Sequence, residues 1–351
     1  MSSKRPGPSR TGISDVARLA GVSIGTVSNV LNHPARVAPA TTEKVVRAMT
    51  LLDYVPDGIA RSLAAGSSRT VGIVLPDLSN SLFVDVARGA ETAAEAADHT
   101  LMIANSDTRL ERETRHLRTF GQARVAGLLL TLNDEQHFAA IADEAPRSAP
   151  TVMLNLAVPT TRFCSVSVDN ERGGWLATSH LVDTGRRRLV FVGGPEALEP
   201  VQHRARGFAR AVRERGAEHV RTVVPTGVNR ADGWEVGGAL VDDVRAGRVD
   251  GVVAATDLLA AGILQAFAMS DVDVPGAVGV VGYDNNQAAW DSPTPITTVA
   301  QPGEEMGRVG TELVLDEARG GPEHHHRAVV LEPSLVVRAS TVSVPARAHA
   351  V

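Results

Sequence analysis

One cysteine in 351 residues, Cys164, excludes any internal disulfide and fits a reducing compartment. In the run TRFCSVSVD that thiol reads as a small core residue. Aromatic residues are only 3% of the chain against 43% hydrophobic, so an interior must be built from Ala, Val and Leu. That is the composition of an α/β core rather than of a disordered chain. No stretch approaches the ~20 apolar residues of a membrane span. The opening MSSKRPGPSRTG also lacks the apolar run of a signal peptide, so a cytoplasmic protein without membrane contact is expected. No GxGxxG or Walker loop occurs, and GVSIG at 21–25 has the GxSxG spacing without the preceding strand that a nucleophile elbow needs, leaving phosphate cradles and activated nucleophiles without support. No catalytic residue and no cofactor is assigned.

What is present is unevenly charged. The net charge is −5, yet residues 1–66 carry eight Lys/Arg and four Asp/Glu, a balance of +4 that leaves −9 for the remainder. A basic head on an acidic body is the asymmetry expected when the head alone meets a polyanion. The length implies two or three domains.

Within the head, GISDVARLAGVSIGTVSNVLNHP places Val16, Leu19 and Ala20 on one helical face before Gly21 ends the helix. Ser23 is placed to cap a second helix with Val27, Val30 and Leu31 inward and Ile24, Gly25, Ser28 and Asn29 outward. A third helix opens at Pro39 and turns Val45, Met49 and Leu52 inward. This is helix–turn–helix grammar, in which the second helix enters the major groove. An Asn29 amide can pair bidentately with adenine and Ile24 can touch a thymine methyl. Gly25, lacking a side chain, permits close approach. A three-helix domain that binds protein instead is the alternative.

The run DVARLAGVSIGTVSNVLN followed by TTEKVVRAMTLLDYVPDGIARSLAAG resembles the headpiece and hinge of the LacI/GalR (lactose-repressor) family, and the similarity continues to LEPSLVVRAST near the C-terminus. The resemblance implies that Ile24, Gly25 and Asn29 read bases while Ser23, Asn32, Arg36, Thr41 and Tyr54 lie against the DNA backbone; Thr26 joins them as a DNA-side candidate. It further implies that DGIARSLAAGSS becomes a helix on the operator and that Leu63 wedges into a central base step from the minor groove. Read from its residues alone, that segment is a marginal helix or a plain linker. The family pattern is not kept everywhere. Asn29 stands where members often have arginine, Gly12 and Ala38 where they have cap residues, and Ala64 where they often have lysine.

From TVGIVLP onward, strands alternate with helices. TLMIAN and GLLLTL follow, then a second set of SVSVD, RRLVFVGG, RTVVP, GVVAAT and AVGVVGYD. The expected fold is an all-α helix–turn–helix headpiece plus an α/β body of two doubly wound parallel-sheet subdomains, like the periplasmic binding proteins. The expected boundaries are a basic arm at 1–11, the headpiece at 12–56, the hinge at 57–68, the body at 69–342 with chain crossings near 168, 295 and 327, and a tail at 343–351. Ligands of such sheets gather at strand C-terminal ends, where Asn155, Asp257, Asp284 and, in a loop, Arg204 are found. The resemblance supports Arg204 (RARGF), Asp257 (AATD) and Asp284 (GYDN), and adds Leu82 and Phe83 (NSLF) and Gln301. Each lone Asp could instead cap a helix. Val228, Leu198 and Asn155 depart from residues that members use for ligand.

His324, His325 and His326 in GGPEHHHRA are expected to form a solvated loop, since three adjacent side chains do not readily converge on one ion; no metal is assigned. With no heptad seam after Ser343, a homodimer is expected. The whole reads as a transcription regulator, a repressor of pseudo-palindromic double-stranded operator DNA controlled by a small-molecule effector such as a sugar or nucleoside. A small-molecule-binding protein or an enzyme on the same body is the alternative.

Overall fold

The computed structural model describes residues 12–54 and 68–342. The basic arm at 1–11, hinge residues 57–67 with the Leu63 wedge, and the tail at 343–351 lie outside the described residues. The chain divides into two compact units at Arg69/Thr70.

The first unit holds three helices: α1 (Ile13–Ala20), α2 (Ile24–Asn32) and α3 (Pro39–Leu51). Gly12 has no side chain to cap α1, but Asp15 in its first turn accepts from the Gly12 N–H at 3.0 Å. Gly21 ends the helix at φ 67°, a left-handed conformation natural to glycine. Val16, Ala17, Val27, Val30, Val45 and Ala48 make the core, with Met49, Leu52 and Tyr54 packed around it. Leu19 is not part of it: the side chain is 52% exposed. At 100° per residue the buried stripe centres between Val16 and Ala17, and Leu19 falls more than a quarter-turn off that line, so the small Ala17 takes the inward place.

The second unit contains two six-stranded sheets. In the first, order β11-β5-β4-β3-β1-β2, every pair is parallel. Its strands are β1 (Thr70–Leu75), β2 (Thr100–Asn105), β3 (Gly127–Thr131), β4 (Thr151–Leu154), β5 (Cys164–Val168) and β11 (Ala328–Leu331). The second, order β12-β10-β9-β8-β6-β7, has β6 (Arg188–Val192), β7 (Glu218–Val223), β8 (Gly251–Ala254), β9 (Gly279–Asp284), β10 (Thr297–Ala300) and β12 (Ser334–Val336), the last antiparallel. Strands β1, β3, β8 and β9 are near-continuous buried apolar runs because helices cover both faces of a parallel sheet.

Two placements differ from expectation. SVSVD forms β5 of the first sheet, because Cys164 pairs with Val152 and Ser165 with Met153, rather than opening the second set. The crossings expected near 295 and 327 fall near Gln301 and after Leu331, because β10 still pairs with β9 and β11 with β5. The first crossing follows Val168, where helix α7 (Asn170–Asp183) begins.

Helices pack at glycines. α4 (Ser81–Ala96) meets α12 (Gly303–Gly320), α7 meets α8 (Glu199–Arg215), and α9 (Arg230–Arg245) meets α10 (Asp257–Met269). Each contact is reciprocal. A methyl group on Gly89 or Gly307, Gly174 or Gly207, Gly233 or Gly262 would overlap a backbone carbonyl of the facing helix. No helix among the described residues is long and apolar enough to cross a membrane. In the segment leading to β11, only His325 among the three histidines stays exposed, whereas His324 and His326 turn toward Cys164.

Candidate functional site

In the first unit, Ser23 is the cap of α2: its Oγ accepts from Thr26 N at 3.1 Å and lies 2.9 Å from Thr26 Oγ1. Both hydroxyls therefore organise the start of the second helix, where exposed side chains can face DNA. Ile24 is 52% exposed, and Gly25 and Asn29 are exposed on the same helix. Arg36 is exposed at the end of a short 3₁₀ turn (Pro34–Arg36). Thr41 is half-buried, and Tyr54 is half-buried against the headpiece core, leaving only part of its surface for contact.

In the second unit, a cavity of about 420 Å³ lies between the two sheets' lobes. Its walls come from strand C-terminal ends, as open parallel sheets dictate. Pro76 follows β1, Thr108 follows β2, Asn133 follows β3, Asn155 follows β4, Asp284 ends β9 and Gln301 follows β10. Leu82, Phe83 and Arg204 also line it.

Arg204 and Asp284 are the charged centre, 4% exposed each. The Arg204 Nε donates to Asn170 Oδ1 at 2.9 Å, one Nη to the Ala255 carbonyl at 2.5 Å, and the guanidinium stacks 3.7 Å from the centroid of the Tyr283 ring. Its Nη1 stands 3.7 Å from Asp284 Oδ1. That carboxylate accepts from Gln301 Nε2 at 2.7 Å and from Asn80 Nδ2 at 3.2 Å. Burial pushes the Asp284 carboxyl above its usual range, against the pull of Arg204 and those two donors. The backbone of Asp284 sits at φ 110°, a strained conformation of the kind that clusters at functional sites.

Asp257 is different. It is fully buried and does not line the cavity; Oδ2 accepts from Asn286 N at 2.9 Å, bracing the turn after β9. Burial, and then the neighbouring Asp284 charge, push its carboxyl well above the ordinary range. The cap of α10 is its neighbour Thr256, whose Oγ1 accepts from Leu259 N at 3.1 Å.

Sequence reasoning missed Asn80 and Asn133. Asn80 caps α4 through Leu82 N and also spans the cleft, donating to Asp284 and accepting from Asn286 Nδ2 at 3.0 Å. Asn133 accepts from Asn155 Nδ2 at 2.7 Å, and its carbonyl accepts from Glu199 N at 3.0 Å across the lobes. An Asn immediately before SLF was the available signal for the first; nothing local marks the second.

Residues 12–57 match the model described as bacterial regulatory proteins, lacI family, and residues 178–341 match a periplasmic binding protein-like domain. The chain is 31% identical to the HTH-type transcriptional repressor PurR of Vibrio parahaemolyticus, over 93% of this chain and 97% of that protein. It is 30% identical to the HTH-type transcriptional regulator DegA of Bacillus subtilis, over 95% and 98%. Among solved structures it resembles a transcriptional regulator CelR–cellobiose complex (TM-score 0.69, 31% identity, 94% of this chain and 100% of that one). The lac repressor dimer bound to operator and the anti-inducer ONPF shares the fold (TM-score 0.80, 24% identity, 95% and 99%).

Proposed function

We propose, for a chain that belongs to the lacI family of bacterial regulatory proteins, that operator affinity is set by a neutral, hydroxyl-rich molecule held between Arg204, Asp284 and Asn155. The chain is a DNA-binding transcriptional repressor, acts as a dimer on operator DNA, and is controlled by a small-molecule effector. A cytoplasmic location follows from that role.

The observation that carries the ligand class is the charge inventory of the cleft. Among the described residues Arg204 is the only cation lining it, against Asp77, Asp107 and Asp284, so a phosphorylated ligand would meet net repulsion. Carboxylates and amides instead suit the hydroxyls of a sugar or nucleoside, with Leu82, Phe83, Leu198 and Val228 as apolar walls. Asn155 Oδ1 and Gln301 Oε1 are buried acceptors without a partner among the described residues. Each such atom costs about 1–3 kcal/mol until a donor reaches it, and ligand hydroxyls are donors. Asp257 supports the reading as a brace beneath Asp284.

Dimerisation agrees with β2, an edge strand whose Met102 and Ile103 are 50% and 52% exposed, apolar surface that a second copy would cover. A two-fold dimer reads a two-fold site. Selection from random duplexes should therefore yield a pseudo-palindrome with two protected half-sites; recovery of single, unpaired sites would contradict the dimeric reading.

Asn29 and Ile24 carry base discrimination in this account, being the long exposed side chains on α2. Asn29→Ala is expected to cost about 1–3 kcal/mol on the selected operator and to relax preference at one position per half-site. Equal loss on random DNA would assign Asn29 to phosphate contact only.

A further inference from the structure

Cys164 opens β5 with its side chain fully buried, at the edge of the first sheet opposite the strand ends that form the cleft. Three further ligand-type side chains converge on its sulfur. His324 Nε2 lies 3.2 Å and His326 Nδ1 3.9 Å from Sγ. Glu317 Oε2, from the C-terminal part of α12, lies 3.9 Å from the first ring nitrogen and 3.7 Å from the second. The four ligand atoms are all within 4.8 Å of one another. The two imidazoles can meet because the chain past His324 is extended, where residues two apart share a face and the one between points away.

We propose that Cys164, Glu317, His324 and His326 form a tetrahedral Zn²⁺ site. With Zn–N and Zn–O near 2.0–2.1 Å and Zn–S near 2.3 Å, the edges of such a tetrahedron are about 3.3–3.6 Å. The four separations above straddle that span and no pair of ligand atoms is more than 4.8 Å apart, so closure on an ion needs rotamer adjustments of up to about an ångström. The donor set also selects the metal. One thiolate, two imidazoles and a single carboxylate suit Zn²⁺, whereas Ca²⁺ and Mg²⁺ demand mostly oxygen.

Two independent features point the same way. Glu317 Oε2 is buried and has no hydrogen-bond partner among the described residues, a costly state for a carboxylate oxygen that a cation would relieve. Around the four, His324 Nδ1 stands 3.5 Å from Asp316 Oδ2, the carboxylate that would orient the ring and hold its tautomer. Arg327 N donates to Cys164 Sγ at 3.4 Å, a hydrogen bond that the sulfur can keep while it ligates. Thiolate, carboxylate and Zn²⁺ sum to zero charge with both imidazoles neutral, so the ion can be held in a half-buried place. Four protein ligands leave no open position, which makes the site structural rather than catalytic. It would tie the end of α12 and the lead-in to the edge strand β11 onto β5.

The test uses the untagged full chain, stripped with chelator and titrated with Zn²⁺ or Co²⁺ alone. One ion per chain should bind, Co²⁺ should show a thiolate-to-metal charge-transfer band, and Zn²⁺ should raise the melting temperature. Cys164→Ser should abolish the band. His326→Ala should weaken Zn²⁺ by about 100-fold or more while keeping the band, and remains readable if the buried cysteine variant misfolds. The exposed His325→Ala should change neither. A Co²⁺ spectrum without the band, less than one Zn²⁺ per chain, or equal losses in His325→Ala and His326→Ala would overturn the site.

Discussion

Arg204→Ala is expected to abolish the response of operator binding to effector. A ligand shifts DNA affinity only by the difference in its affinity for two body conformations, typically 1–3 kcal/mol or about 5–150-fold. Among the described residues Arg204 is the only cation lining the cleft, held by Asn170, Ala255 and Asp284 of the second lobe. Truncating it also leaves Asp284 without its counter-charge and removes the stack on Tyr283. Breaking a buried pair costs about 3–5 kcal/mol, but Asn80 and Gln301 still donate to this carboxylate, so a loss near the lower end is expected. Arg204→Lys separates the two effects. Lysine keeps the charge beside Asp284 but lacks the planar fork, so stability should largely return while the response stays at least ~10-fold reduced. Melting curves and operator titrations on both variants check this. A normal effector response in Arg204→Lys would show that the guanidinium is a brace and not a ligand contact.

Gly233→Ala should destabilise the body by about 3–5 kcal/mol, while Gly238→Ala on the same helix should be neutral or stabilising by up to about 1 kcal/mol. Alanine is the better helix former by roughly that amount at both positions. At Gly238 the new methyl meets open space. At Gly233 it would overlap the Leu259 carbonyl, and Gly262 returns the same close approach from α10, so the two helices must move apart. Overpacking of this kind against backbone exceeds what a rotamer change can absorb. Urea unfolding of both variants decides it. Equal stabilities would mean that the helices pack more loosely than this geometry requires.

Much of the body was legible because buried parallel strands announce themselves: TVGIVL, GLLLT, GVVA and GVVGYD are apolar runs punctuated by Gly, Pro or Asp. Strands that mix in polar residues or are very short do not. TVML and TTVA are as long as GVVA but carry threonine among the apolar residues, and SLV has only three residues. Sheet membership was harder still. SVSVD looks alike in either lobe, and only its pairing with Val152 and Met153 assigns it to the first sheet. Leu19 misled because an apolar residue one step off the buried stripe looks like core in a short helix.

The cleft was legible where strand ends carry charge, at Asp284, and where the family pattern marks Arg204. Asp257 sits at an equivalent strand end, but its side chain turns under the β9 loop rather than into the cavity, a choice made by the Asn286 N–H 2.9 Å away and invisible in the local sequence. The histidines show the same limit from the other side. His324 and Cys164 are 160 residues apart in sequence, and only the parallel pairing of β11 with β5 brings them to 3.2 Å.

The central claim is that one molecule in the cleft changes the grip on one operator, and a single titration tests it. The full chain is screened by thermal shift against neutral sugars and nucleosides, and the operator affinity is then measured at one fixed salt concentration with and without a hit at saturation, because salt alone moves such affinities by orders of magnitude. The account predicts a change of about 5–150-fold, in either direction, that is lost or at least ~10-fold smaller in Arg204→Lys. A ligand that saturates the cleft of the wild-type chain and leaves operator affinity unchanged would contradict it.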